Sequence, residues 1–213
     1  VEIDSRGKTK RKLGETDPVP GRNITLTIDA DIQKKAYESM RNIKKGALIV
    51  STPKGEILAL VSKPSYDPNL FTLGNDYKIA SNATAAGPVY ENISDILADT
   101  ENQPFLNRAI SGLYPPGSTF KLVTAAAGLE NGIIDLKFSV KDTGVIKVGE
   151  FSFTNWYFTG YGGVEGDVNV IKGIKRSNDI FFYKLAEKVG LEILSAMANE
   201  FGTGKKLGID LGG

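Results

Sequence analysis

The segment from Ser118 to Asn131 constrains this chain more than any other, because it is apolar on nearly every side of the helix its spacing predicts. Phe120, Leu122, Val123, Ala125, Ala126, Ala127 and Leu129 leave almost no polar stripe. A helix of that kind belongs in the centre of a domain, with other elements packed round it. Tyr114-Pro115-Pro116-Gly117 leads into it, and Gly132 stands where it should end, since glycine takes the left-handed backbone of a helix C-terminus at little cost.

The rest of the chain supplies elements to surround it. Ile24, Leu26 and Ile28 alternate with Thr25 and Thr27, which predicts a strand, and Asp29 caps a predicted amphipathic helix over residues 30–43. Ala47–Ser51 and Glu56–Ser62 flank Pro53-Lys54-Gly55 as an antiparallel hairpin. From Lys63 to about Asn107, breakers at Pro64, Pro68, Gly74, Gly87, Pro88 and Pro104 predict a long irregular segment. Gly144–Gly163, rich in glycine and aromatics, reads as short strands and turns. Helices are predicted over 169–176 and 179–189, broken at Ser177-Asn178, and over 191–201. Residues 1–21 are polar and basic, with Lys8, Lys10, Arg11 and Lys12, and close on Asp17-Pro18-Val19-Pro20-Gly21, a boundary signal.

Two absences decide which chemistry is open. With no cysteine in 213 residues, disulfides and thiolate catalysis are excluded, and with no histidine so is a Ser-His-Asp triad. A nucleophile must be Ser, Thr, Lys or a carboxylate, and its base Lys or a carboxylate. Basic and acidic residues number 26 and 25, so no charge excess points to nucleic acid. The aliphatic runs fall far short of the roughly 20 residues that span a bilayer. The chain starts at Val1 rather than Met, which reads as a piece of a longer protein.

Ser-x-x-Lys occurs three times, at Ser5-Lys8, Ser51-Lys54 and Ser118-Lys121, where chance gives about one match. The first lies in the polar tail and the second crosses Pro53 in a turn. Only Ser118 and Lys121 open a predicted helix, where the i, i+3 spacing puts both on one face. A serine hydroxyl needs a base to become nucleophilic, and an apolar surround favours the neutral amine that can act as one. The bland reading of the same residues is a serine N-cap and a lysine reaching out to solvent.

Asn107-Arg108-Ala109-Ile110 and Tyr114-Pro115-Pro116-Gly117-Ser118-Thr119-Phe120-Lys121 resemble the first active-site motif of penicillin-binding proteins, closest to the monofunctional transpeptidases of the penicillin-binding protein 2 type. Gly21–Gln33 is similar to that family's entry into the transpeptidase domain, and Gly46–Asn69 is a close match. Ser177-Asn178-Asp179 resembles the second motif. The resemblance implies that Ser118 is the nucleophile, Lys121 its base and Ser177 a proton relay. Asp179 would orient Lys121 or the substrate, and Asn178 would join it in substrate binding. Read alone, the triplet is a helix cap. Trp156 reads either as lining a cleft or as a packed aromatic.

The implied fold is α/β in the penicillin-recognising, β-lactamase-like manner: an antiparallel sheet flanked by helices, with a helical lobe carrying Ser177. Residues 1–21 would end a pedestal domain, and 22–213 would be the transpeptidase domain. A third motif, Lys-Thr-Gly or Lys-Ser-Gly, is absent: Lys12-Leu13-Gly14, Lys147-Val148-Gly149, Lys188-Val189-Gly190 and Lys206-Leu207-Gly208 all lack the hydroxyl residue. In the family it lies further along the chain, so a C-terminal truncation is expected. The implied activity is cross-linking of peptidoglycan stem peptides ending in D-Ala–D-Ala, through a serine acyl-enzyme that β-lactams also form. No cofactor or metal is implied. Some members of the family carry a zinc site built with His and Cys, which this chain lacks. The implied setting is the inner membrane with this domain outside the cytoplasm, beside an elongation glycosyltransferase and shape-determining proteins. Two other readings stay open, a serine β-lactamase and a non-catalytic β-lactam sensor or scaffold.

Overall fold

A computed structural model describes residues 1–5, 8–11, 13–14, 17, 19–73, 77–78 and 88–209, which form two compact units, Val1–Gly112 and Leu113–Gly213. Lys12 and the predicted breakers Pro18, Gly74 and Gly87 lie outside the described residues.

In the first unit, β1 (Glu2–Ile3) pairs antiparallel with β2 (Thr9–Arg11), and α1 (Ala30–Ser39) follows. Asp29 caps α1 as expected, accepting hydrogen bonds from the amides of Asp31 and Ile32. The helix stops at Met40, short of the predicted 43. The expected strand over residues 24–28 does not form. Ile24 and Leu26 are exposed, and this stretch is tied instead by Thr27 Oγ1 donating to Ile57 O and by Asp29 N–H donating to Leu58 O. Alternation proposes a strand, but without a partner ladder it remains only extended chain. β3 (Gly46–Ser51) and β4 (Ile57–Lys63) form the predicted hairpin, turning at Gly55 with φ 91°. One face of that hairpin packs on α1 through Ala36, Met40, Ala59 and Val61. The predicted irregular stretch holds two short helices, α2 (Asn69–Thr72) and α3 (Ile93–Ala98), built on Leu70, Tyr90 and Ile96, before α4 (Arg108–Ser111).

The second unit is built round α5 (Lys121–Glu130), entered through a 3₁₀ turn at Gly117–Phe120 and ended where Gly132 takes φ 63°. The strands β5 (Ser139–Asp142), β6 (Val145–Val148) and β7 (Phe151–Thr154) follow, and then α6 (Trp156–Tyr161). After these come β8 (Gly166–Asn169), α7 (Val170–Arg176), α8 (Asp179–Val189) and α9 (Leu191–Glu200). α8 and α9 pack on α5, and Val123, Ala127, Val168, Phe181 and Leu185 fill the core between these elements. Val123, Thr124, Ala125, Ala127 and Gly128 are buried, but Leu122 is 53% exposed, so α5 is enclosed over most of its circumference and not all of it. Gly173 allows the close approach of α7 and α8, since a Cβ there would lie 2.8 Å from Phe181. The antiparallel pairing expected for the sheet holds, but among the described residues it appears as four two-stranded ladders, β1-β2, β3-β4, β5-β8 and β6-β7.

Candidate active site

The 3₁₀ turn that precedes α5 places Ser118 and Lys121 three residues apart at three residues per turn, so their side chains eclipse on one face. Gly117, at φ 57°, lets the diproline lead-in bend into that turn. The turn leaves Ser118 exposed at its rim, whereas the Lys121 side chain is only 16% exposed. Neither the 3₁₀ turn nor α5 has a side-chain cap, so Ser118 is not a capping serine, and Lys121 does not reach out to solvent.

Ser177 comes from the break between α7 and α8. α7 ends when Ser177 takes the left-handed conformation, φ 50° and ψ 42°, with Ser177 N–H donating to Ile174 O and Asn178 N–H to Gly173 O. For a residue with a Cβ this conformation costs about 1–2 kcal/mol. The turn aims the hydroxyl at the start of α5: the Oγ atoms of Ser177 and Ser118 are 2.9 Å apart and hydrogen bonded.

Lys121 Nζ donates to Ser177 Oγ at 3.1 Å, to Ser177 O at 2.7 Å and to Asp179 Oδ1 at 2.6 Å, which uses all three of its N–H donors. The described hydrogen bonds therefore join Ser118 to Lys121 through Ser177 rather than directly. Asp179 Oδ2 accepts from the backbone N–H of Trp156 at 3.1 Å, so both of its oxygens are occupied. Tyr183, one turn further along α8, has its hydroxyl pKa raised, first by burial and then by the nearby Asp179 charge.

The structure brings Ser118, Lys121, Ser177 and Asp179 together, and puts Asn178 to another use. Asn178 is fully buried: its Oδ1 caps α8 by accepting from Phe181 N–H at 2.8 Å, and its Nδ2 donates to Asp142 Oδ2 at 2.7 Å. Both ends of the amide are committed inside the protein. Trp156 is 42% exposed; its indole N–H donates to Arg176 O, and the Arg176 guanidinium lies 5.5 Å from its ring centroid. Two neighbours of the site were missed from sequence. Asp142 and Asn155 are both buried, and Asn155 Oδ1 accepts the Asp179 N–H at 3.2 Å. In the sequence, Asp142 before Thr143-Gly144 is a turn signal and Asn155 a helix-start signal, and nothing links either to Asn178. Among the described residues, no group of three or more Asp, Glu, His or Cys is placed to hold a metal ion.

A serine hydroxyl wired through a second hydroxyl to an amine and a carboxylate is an arrangement that can activate a serine without histidine. The comparisons with known proteins give the family. Residues 46–213 match the penicillin binding protein transpeptidase domain. The peptidoglycan D,D-transpeptidase MrdA of Acinetobacter baumannii is 37% identical over 99% of this chain. An imipenem acyl-enzyme of penicillin-binding protein A from M. tuberculosis superimposes with TM-score 0.68 at 32% identity, over 84% of this chain and 40% of that one. Penicillin-binding protein 2 of Helicobacter pylori, solved with MreC, superimposes with TM-score 0.73 at 29% identity, over 100% of this chain and 36% of that one. The chain belongs to the penicillin-binding protein transpeptidase family. It spans 29% of the length of the Acinetobacter relative.

Proposed function

We propose that this chain carries the acylation centre of a peptidoglycan D,D-transpeptidase, with Ser118 as nucleophile, Ser177 and Lys121 as its proton relay, and Asp179 holding Lys121. The observation that carries this reading is the unbroken hydrogen-bond path from Ser118 through Ser177 and Lys121 to Asp179. Membership of the family and the names of the relatives support it.

Ser118 Oγ attacks the carbonyl carbon of the terminal D-Ala–D-Ala amide, and its proton passes through Ser177 Oγ to the amine form of Lys121. The ammonium so formed is held by Asp179 Oδ1 and Ser177 O. Collapse of the tetrahedral intermediate breaks the C–N bond, and D-alanine leaves with a proton returned along the same path. The amino group of a second stem peptide then opens the ester, forming the new amide and restoring the Ser118 hydroxyl. A β-lactam enters the first half of this sequence, but its leaving amine stays tethered, so the ester persists. Asp179 serves Lys121 in this scheme, with Oδ1 accepting from Nζ and Oδ2 accepting from the Trp156 N–H that holds the carboxylate in place. Asn178 serves the framework, because its amide is buried and bonded at both ends.

For the whole protein we propose an inner-membrane anchor with this part outside the cytoplasm; among the described residues no helix is long and apolar enough to cross a membrane. Residues 1–21 end a pedestal region and 22–213 belong to the transpeptidase domain. The partners are an elongation glycosyltransferase and shape-determining proteins, the latter supported by the MreC complex of the Helicobacter relative.

The test is intact-mass spectrometry of the full-length protein after incubation with a penicillin. We expect one stable adduct on wild type and none on Ser118→Ala. Rapid hydrolysis of the antibiotic with free enzyme recovered would mean a β-lactamase, and no adduct at all would overturn the enzymatic reading.

A further inference from the structure

Asp142 ends β5 at 1% exposure, and among the described residues no cation pairs with it. A buried carboxylate in that position has to be met by hydrogen-bond donors. Four N–H groups meet this one: Gly144 N on Oδ1 at 2.7 Å, and on Oδ2 Asn155 Nδ2 at 2.9 Å, Asn178 Nδ2 at 2.7 Å and Glu165 N at 3.3 Å. Two of these donors flank Asp179. Asn178 precedes it in the chain. Asn155 accepts the Asp179 N–H, and the next residue, Trp156, donates its own N–H to Asp179 Oδ2. Asp142 is thus linked to Asp179 through Asn155 and Asn178, the residues that precede α6 and α8, and Asp179 holds Lys121 at 2.6 Å.

We infer that Asp142 is a positioning residue for acylation, fixing Asp179 and Ser177 so that the proton path from Ser118 to Lys121 stays aligned. The inference rests on Ser118 being the nucleophile, as proposed above. The role needs a carboxylate. An amide at this position would turn its NH2 either on the Gly144 N–H or on the three donors at Oδ2, so that donor faces donor on either choice. The consequence falls on proton transfer, because two of the groups that Asp142 holds, Asn155 and Asn178, adjoin Asp179, and Asp179 holds Lys121.

The experiment is acylation kinetics with a fluorescent penicillin on the full-length protein, resolving the reversible binding constant from the acylation rate constant k2. Asp142→Asn is expected to lower k2 by more than about tenfold, within the range that positioned proton transfer contributes, and to change the binding constant less than about twofold. Met197→Ala, a core truncation on α9 at a site 8% exposed, controls for stability and is expected to keep k2 despite a lower melting temperature. Asn155→Ala removes one of the two links between Asp142 and Asp179 while leaving three donors on Asp142. It is expected to give a smaller loss confined to k2, and it carries the test should Asp142→Asn not fold. A k2 within about twofold of wild type in the variant that folds overturns the inference. So does a k2 loss that simply follows melting temperature in Met197→Ala as well. A wild-type protein that forms no Ser118 adduct is a different result: it overturns the nucleophile assignment and takes this inference with it.

Discussion

At the residue scale, Lys121 is the informative position, because its surroundings suit two jobs. Its contacts with Asp179 Oδ1 and Ser177 O are those of a structural cation, and the same nitrogen donates to Ser177 Oγ, the contact through which its amine form would take a proton in the proposed relay. Lys121→Arg separates them. A guanidinium keeps the charge and can satisfy a carboxylate, but it does not give up its proton in a protein. We expect the melting temperature of Lys121→Arg to stay near that of wild type, while the acylation rate with a fluorescent penicillin falls by at least about a hundredfold. A variant that acylates normally would show that Lys121 only pins the Ser177 loop. That Ser118 and Lys121 share one face was legible from sequence, because helical spacing and an apolar setting both act locally. Ser177 entered only through the family resemblance, since its position between them depends on a left-handed turn fifty-six residues further along the chain from Lys121.

At the scale of elements, helices were easier to read than strands. α7, α8 and α9 fall where their periodicity and breakers place them, because a helix satisfies its own backbone and announces itself within one segment. The extended stretch over residues 24–28 carries a strand pattern but finds no ladder, and α6 hides in an aromatic run that reads as β. The β5–β6 connection shows how closely these elements fit. Gly144 sits there at φ 85°, and an added Cβ would come 2.3 Å from the Phe158 ring on α6. Gly144→Ala therefore meets both backbone strain and a clash, and it disturbs an N–H that Asp142 accepts. We expect a destabilisation of about 2 kcal/mol or more in urea unfolding followed by the emission of Trp156, the single tryptophan. An unchanged midpoint would mean that α6 shifts freely.

At the scale of the whole molecule, stability and pH are linked through groups that take no part in the site. In the first unit the Tyr90 hydroxyl is pushed up to about 12, first by burial and then by its hydrogen bond to Asp99 at 2.8 Å. The folded chain therefore keeps this proton after the unfolded chain releases it near pH 10.0. The sign follows from proton linkage: the contribution is fully present below about pH 10 and is lost as pH rises towards about 12. Denaturant midpoints measured across that window should fall with rising pH, and fall less steeply in Tyr90→Phe; parallel slopes would rule Tyr90 out as the titrating group. Composition indicated a folded domain and excluded imidazole and thiolate chemistry, but it carried no trace of Asp142 or of the division after Gly112. Both of these depend on contacts between distant segments. That division has a consequence for making chimeras. Ser118, Lys121, Asp142, Asn155, Ser177 and Asp179 all lie in Leu113–Gly213. A breakpoint at Gly112 would hand the relay and its supports to a new host as one inherited block. A breakpoint between Asp142 and Asn178 would join the motif of one parent to the anchor of another, and even two functional parents need not give a functional offspring.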